Sequence, residues 1–313
     1  MHCLVTGATG FIGRSLCKHL LCRGDSVLAL SKSGEPLSDG TPTVAMDLVQ
    51  QLPDAEQLEG VDVVFHLAGI AHQRASAEQH HRLNYFATVE LAKAAANAGV
   101  GRFVYLSSVK AMGAATGEEP RSEAQCELPE DSYGLSKWQA ECGLQELVSC
   151  GQMTVRILRP ALVYGSGAKG NLALLVRWLR MGLPRPPDYG RRSMIGVPDL
   201  IDVLCLAAEH EQAASDTWIV CDGRQYSTRA LYDALRLADG KGTGLAWLPA
   251  WVWRLVCATA DVLRSAPEPT WKKLFTIDLY SNAALSEATG WQPQYQFSDL
   301  APQVLGKPGS DAP

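Results

Sequence analysis

Thr6-Gly7-Ala8-Thr9-Gly10-Phe11-Ile12-Gly13 is the stretch that decides the fold. It follows a short apolar run, His2 to Thr6, and opens a segment with helical spacing, Phe11 to Arg23. Glycines at a strand-to-helix junction let the chain turn sharply, let an anion approach backbone N–H groups, and let the helix pack closely on the strand. A tight turn alone would also use glycine. In this setting Gly7, Gly10 and Gly13 point to a dinucleotide pyrophosphate at the helix N-terminus, with Thr9, Phe11 and Ile12 beside it.

The flanking pattern repeats. Ser26 to Leu30, Thr43 to Met46 and Val61 to Leu67 read as strands, Glu78 to Gly99 as a long helix and Arg102 to Ser107 as a strand. Ser132 to Ser149 is a helix, and Met153 to Leu158 is a strand stopped by Arg159-Pro160. Such βαβ repetition predicts an α/β fold, a Rossmann-type doubly wound parallel sheet with ligands beyond the carboxyl ends of its strands. After Pro160 the pattern changes to Gly- and Pro-rich loops with helices at Asn171 to Met181, Ser227 to Ala238 and Pro249 to Leu263. The expected organisation is a dinucleotide-binding domain over 1–160, to which 197–225 returns with a strand at Asp216 to Cys221. A smaller C-terminal α/β substrate-binding lobe takes 161–196 and 226–305, and 306–313 reads as a disordered tail.

With 313 residues, 47% hydrophobic and 19% charged, the chain has the make-up of a soluble globular protein with a sizeable core, which excludes collagen, coiled coil and disorder. Lys and Arg number 28 against 33 Asp and Glu, so no global field gathers nucleic acid or anionic lipid, and phosphate binding must be local. Nine cysteines without a CxxC pair read as reduced, buried thiols of a cytoplasmic protein, and no metal site is expected. Met1 runs almost directly into an apolar strand, which predicts no secretory leader. The longest apolar stretch, Gly244 to Leu263, is broken by Pro249, Arg254 and Asp261. It therefore reads as a packed helix rather than an integral membrane segment, an interfacial helix being the lesser alternative. His80-His81 reads as the exposed start of a helix, and Trp247, Trp251, Trp253 and Trp271 as lobe core or an oligomer contact. His72 and Arg74 either edge the site or lie outside it.

Tyr133-Gly134-Leu135-Ser136-Lys137 sets a phenol and an ammonium on one helix face. There the ammonium is expected to lower the phenol pKa, so that the phenol exchanges a proton near neutral pH. The spacing is common by chance and takes its weight from Ser107-Ser108 at the end of the preceding strand, where a hydroxyl can bond the same substrate oxygen.

With these motifs together the chain resembles the extended short-chain dehydrogenase/reductase family, within it the nucleotide-sugar epimerase/dehydratase/reductase group. The matching stretches run in order over residues 1 to about 200: residues 6–13, Asp47-Leu48, His66-Leu67-Ala68-Gly69, Asn84, Ser107 to Gly113, Tyr133 to Lys137, Arg159 to Gly165 and Arg191 to Ser193. Leu285 to Pro293 is similar to the family's terminal signature. The resemblance implies that Tyr133 is the general acid/base, that Lys137 binds the nicotinamide ribose and tunes Tyr133, and that Ser108, counted back from Gly113, orients the substrate oxygen. It implies that Asp47 and Leu48 flank the adenine, that Leu67, Ala68, Gly69 and Pro160 line the cofactor, and that Asn84 supports the active-site backbone or a water. Asn171 and Arg192 fall where such enzymes hold a nucleoside diphosphate, for which an arginine is a bidentate clamp, and Lys110 and Leu172 are implied to be substrate-binding as well.

The end of the second strand reads Leu30-Ser31-Lys32-Ser33, with no carboxylate until Glu35. That favours NADP(H), with Lys32 pairing a 2′-phosphate, Ser31 or Ser33 donating to it and Arg14 nearby; NAD(H) stays possible. The leading expectation is an NADPH-dependent reductase of a UDP-4-keto-6-deoxy-N-acetylhexosamine, from the similarity of the Ser107 to Gly113 and Asn171 to Ser193 segments to surface-polysaccharide enzymes. A UDP-glucose or UDP-N-acetylglucosamine 4-epimerase retaining NAD is the alternative, and Met112, where many epimerases carry Tyr, counts against it. Ser108-Val109-Lys110 offers no acid for dehydration, and a non-catalytic sensor or scaffold would typically have lost Tyr133 or Lys137. The resemblance also implies a homodimer through the helices near 78–99 and 132–149.

Overall fold

Alternation along the first strands builds a sheet buried on both faces. In β1 (His2–Thr6), β4 (Val63–His66) and β5 (Arg102–Leu106), the side chains of Cys3, Val5, Val63, Phe65 and Val104 join one core cluster. Leu4, Val64, Phe103 and Tyr105 join the other. The computed structural model describes residues 1–71, 75–114, 117–149, 153–168, 170–210, 216–242, 244, 248–264, 271 and 275–307. With β2 (Ser26–Ser31), β3 (Val44–Ala45), β6 (Thr154–Pro160) and β10 (Asp216–Val220), the strands form a seven-stranded sheet in the order β10-β6-β5-β4-β1-β2-β3. Every pairing in it is parallel, as the βαβ repetition predicts. The chain leaves β1 in one direction for β2 and returns on its other side with β4, which opens a crevice at their carboxyl ends. Register brings Thr6 opposite both Leu30 and His66.

Helices α1 (Phe11–Cys22) and α7 (Val197–Glu209) pack on one face, and α5 (Ser132–Ser149) on the other. The helix expected over 78–99 starts at Ala77 and is not uniform. It runs as α3 (Ala77–His80), a π-helical segment (His81–Ala87) and α4 (Thr88–Asn97). Within it the Thr88 hydroxyl donates to the Asn84 carbonyl at 2.8 Å, a side-chain bond that competes with the regular ladder. The wider turn carries Asn84 fully inward.

A third core gathers Tyr164, Leu172, Leu175, Trp178, Tyr232, Trp253 and Phe297. Tyr164 ends a short strand (Leu162–Tyr164), and the others come from α6 (Asn171–Arg180), α8 (Thr228–Ala238), α9 (Ala250–Arg264) and the chain's last described helix, Phe297–Val304. Trp253 is buried against Trp178 and Trp271 lies against Phe275, whereas Trp251 is 67% exposed and Trp247 lies outside the described residues. Among the described residues no helix is long and apolar enough to cross a membrane. The start of the tail is tied down by Lys307, which pairs with Asp239, and 308–313 lie outside the described residues. The expectation of uniformly buried thiols needs correction: Cys22 and Cys126 are exposed, each on a polar edge rather than in an apolar layer.

Candidate active site

The loop after β1 is built from glycines for steric reasons. Gly7 has φ of 69°, and a Cβ there would stand 2.8 Å from the Ala68 nitrogen; on Gly13 a Cβ would stand 2.2 Å from the Gly7 oxygen. The first turn of α1 thus lies directly on the loop. Gly10 precedes α1 with no capping side chain, which leaves its first N–H groups for an anion. Thr9, Phe11 and Ile12 are part-exposed beside it, and Arg14 is exposed one turn on. The residues present therefore fit a dinucleotide: close backbone approach, an open helix N-terminus and a crevice beside Ala68 and Gly69.

Behind the loop runs a hydrogen-bond relay whose direction can be assigned. Thr88 donates to the Asn84 carbonyl, so His66 Nε2–H must donate to the Thr88 oxygen at 2.8 Å. His66 Nδ1 is then the acceptor, and Thr6 donates to it at 2.7 Å while accepting from the Ala68 N–H. Burial, with the Lys137 ammonium near, holds His66 down at about 3 and hence neutral. Asn84 completes the frame. Its Oδ1 accepts from the Ile70 N–H at 2.8 Å, and its Nδ2 donates to the Ile70 carbonyl and to Ser136. Gly69 is exposed beside it; a Cβ there would lie 3.2 Å from Asn84 Oδ1 and 3.4 Å from Lys137 Nζ.

Three residues named from sequence meet at the end of β5. Lys137, buried on α5, donates to the Leu106 carbonyl at 2.8 Å and lies 4.6 Å from the centre of the Tyr105 ring. The Ser108 hydroxyl is close enough to Tyr133 to act on its phenol and accepts from the Lys110 N–H. Ser107, by contrast, is buried and donates to Glu141. The expected lowering of the phenol is corrected: burial outweighs the pull of Ser108 and pushes Tyr133 up to about 12. Burial also pushes Lys137 down to about 7, against the pull of Glu141.

Beyond the end of β2, Lys32 pairs with Asp47 at 3.0 Å, its side chain 82% exposed. That pair holds the Asp47 carboxyl below its ordinary range. Leu48 is buried in the core and Leu67 is half-buried. Ser31 departs from expectation. Thr43 donates to the Glu35 carbonyl, so the Ser31 proton goes to Thr43, and Ser31 accepts from the Gly34 N–H. It has no proton left for a 2′-phosphate. Pro160 closes β6 opposite Val220.

On the lobe side, Arg192 in β8 (Arg191–Arg192) is buried, and burial lowers it against the pull of Asp278. Asp278 lies on β11 (Ile277–Asp278), paired with β8, and reaches Lys110 at 3.8 Å. Arg191 is exposed. Asn171 opens α6 with its side chain outside the described set, as are His72 and Arg74. Leu172 is corrected: its side chain is in the lobe core, so contact with a ligand would fall to its backbone.

Two residues were missed. Arg121, in an acidic stretch that reads as surface, is buried and gives its guanidinium donors to the carbonyls of Met112, Gly113, Ala114 and Gln125. It thereby holds the turn that follows Ser108. His80, expected outside, is 1% exposed, because α3 packs on the start of α5. Its Nδ1 bonds Ser132, and its ring meets Tyr133 edge-on, centroids 6.0 Å apart.

Residues 3–221 match the NAD dependent epimerase/dehydratase family, and the chain belongs to it. It is 33% identical over 262 residues to the UDP-glucose 4-epimerase of Vibrio cholerae, 80% of each chain. It is 29% identical over 248 residues to the 4-hydroxy-2-methyl-3-oxo-4-farnesyl-3,4-dihydroquinoline-1-oxide ketoreductase of Stigmatella aurantiaca, covering 77% of this chain and 74% of that one. MoeE5 in complex with UDP-glucose and NAD shares its fold, with a TM-score of 0.77 at 24% identity over 98% of both chains. The chain is thus an enzyme of the extended short-chain dehydrogenase/reductase type that uses a nicotinamide dinucleotide.

Proposed function

We propose that this enzyme moves a hydride at C4 of a UDP-sugar, as an NADPH-dependent reductase of a UDP-4-keto-6-deoxy-N-acetylhexosamine in surface-polysaccharide biosynthesis. The observation that carries the reading is the meeting of Ser108, Tyr133 and Lys137 at the end of β5, one strand from Gly69 and two from the glycine loop. The dinucleotide supplies the hydride. Gly7, Gly10, Gly13 and the start of α1 would hold its pyrophosphate, Gly69 and Lys137 its nicotinamide ribose, and Lys32 the phosphate of its adenine ribose. Burial keeps the proton on the Tyr133 phenol at neutral pH, so Tyr133 is set to give it to the oxygen developing at C4, with Ser108 orienting that oxygen. Arg192, from a substrate lobe made of 161–196 and 226–305, and Lys110, just beyond β5, supply cations for the diphosphate. The exposed Phe86 on the π-helical segment supports self-association through the helices near 78–99 and 132–149.

A 4-epimerase with retained NAD is the second reading. It is favoured by the Vibrio cholerae relative and by the commitment of the Ser31 proton, which weakens a 2′-phosphate site. Denaturing the purified protein and identifying the dinucleotide released separates the two. Near-stoichiometric NAD supports the epimerase. Absence of tightly held NAD, followed by oxidation of NADPH with UDP-4-keto-6-deoxy-N-acetylglucosamine, supports the reductase.

A further inference from the structure

Ser107, Glu141 and Arg159 form a buried polar cluster that the steps above do not use. Arg159 Nη2 reaches Glu141 Oε2 at 2.6 Å, Arg159 Nε lies 3.0 and 3.2 Å from the two carboxylate oxygens, and Ser107 donates to Oε1 at 2.5 Å. Glu141 is 2% exposed and Arg159 6%. The remaining arm of the guanidinium reaches Cys126 Sγ at 3.1 Å. A buried ion pair rarely stabilises a fold more than apolar residues of the same volume would, so stability alone gives weak reason for one here.

Its position gives a stronger reason. Ser107 lies between Leu106, whose carbonyl holds Lys137, and Ser108, whose hydroxyl is near Tyr133. The Ser107 N–H in turn donates to the Leu158 carbonyl on β6 at 2.8 Å. Glu141 stands one helical turn beyond Lys137 on α5, and Arg159 follows Leu158 on β6. The cluster therefore ties β5, β6 and α5 together at the point where the reacting groups meet. The titratable groups around Lys137 are His66 from β4, Tyr105 from β5, and Tyr133 and Glu141 from its own helix, with Arg159 beyond Glu141. His66, Tyr105 and Tyr133 are all neutral near pH 7, which leaves Glu141 as the anion among them.

We propose that Glu141 is a positioning residue: held by Arg159, it anchors Ser107 so that the flanking Leu106 carbonyl and Ser108 hydroxyl meet Lys137 and Tyr133, and it places a negative charge facing the Lys137 ammonium. This rests on the reading of Tyr133 and Lys137 as the reacting pair. Burial drives Lys137 towards its neutral form while Glu141 opposes that, in keeping with the geometry.

The test is a 13C-lysine NMR titration of the cofactor-free protein, with the Lys137 resonance assigned as the one lost in Lys137→Met. The wild-type midpoint is expected near about 7. Glu141→Gln lowers it by about one pH unit, a roughly tenfold loss of proton affinity. Ser107→Ala keeps the charge and the midpoint but loosens the strand end, so kcat for NADPH oxidation falls ~10-fold or more with KM little changed. Should Glu141→Gln fail to fold with Arg159 left unpaired, Glu141→Gln/Arg159→Gln removes both charges and is expected to lower the midpoint in the same direction but by less, since the Arg159 cation is lost as well. A midpoint that stays in place in the folded Gln variant, or an unaltered kcat in Ser107→Ala, overturns the proposal. Tyr133→Phe separates the levels. If it is inactive while the Glu141 and Ser107 variants behave as wild type, only the role of Glu141 fails; if it turns over normally, the catalytic reading fails and takes this proposal with it.

Discussion

Acid breaks the relay through His66, and the cost follows from the structure. His66 joins β1, β4 and the π-helical segment by accepting from Thr6 and donating to Thr88. A second ring proton would meet the Thr6 hydroxyl and remove the acceptor. In the folded protein burial holds His66 at about 3, against 6.5 when unfolded. Over that interval the unfolded chain takes up a proton that the folded protein refuses, so stability is full above pH 6.5 and falls as pH falls towards 3. The whole span is on the order of 5 kcal/mol, of which about 2 kcal/mol is lost by pH 5. Urea unfolding of the wild type between pH 7.5 and 5 is compared with that of His66→Gln, whose amide can still donate to Thr88 and does not titrate. Burial raises Asp199, Asp202 and Asp222, which favours the fold in acid, but that contribution is common to both proteins and cancels in the difference. The variant should start less stable and lose about 2 kcal/mol less between pH 6.5 and 5. Parallel loss in the two proteins would refute the assignment of His66 as the buried neutral group.

Three further outcomes are expected. Gly13→Ala drives a methyl group against the Gly7 carbonyl, costing roughly 1–3 kcal/mol and abolishing dinucleotide binding, as read by thermal melting and calorimetric titration. Lys32→Gln frees Asp47 and weakens NADPH about tenfold while leaving NADH within twofold, as read from the two dissociation constants, since the exposed pair itself contributes little. Tyr133→Phe lowers kcat by about 10²- to 10⁴-fold with dinucleotide affinity retained, the mark of a proton donor rather than a binding group.

The sheet was legible because each strand is a short apolar run and each junction carries its own stop signal, from the glycine loop at residues 7–13 to Arg159-Pro160. The π-helical segment was not, since it depends on a hydroxyl at residue 88 taking a backbone carbonyl and on a partner loop at residue 70, contacts that no local periodicity records. Arg121 was hidden for the same reason. Its ligands are carbonyls of a turn that forms only when the chain around Met112 and Gln125 comes together, and a carbonyl leaves no trace in composition. The phenol of Tyr133 went the other way from expectation because helix spacing gives the distance to Lys137 but not the depth of burial, and burial dominates.

The contrast between Ser107 and Ser108 shows what the fold adds to counting along a motif. Around the strand ends nearly every hydroxyl proton is committed to the frame. Thr6 gives its proton to His66, Ser31 to Thr43, Thr88 to the Asn84 carbonyl, Ser107 to Glu141 and Ser136 to the Tyr133 carbonyl. Each is buried, and withdrawing the Thr6 proton, for one, would leave His66 Nδ1 unpaired at a cost of about 1–3 kcal/mol. Ser108 and Tyr133 are near each other outside that frame, and a substrate oxygen that accepts from both would leave the frame closed. On the proposed reading, reactivity falls to the two hydroxyls outside that frame, and the fixed ones hold them in place.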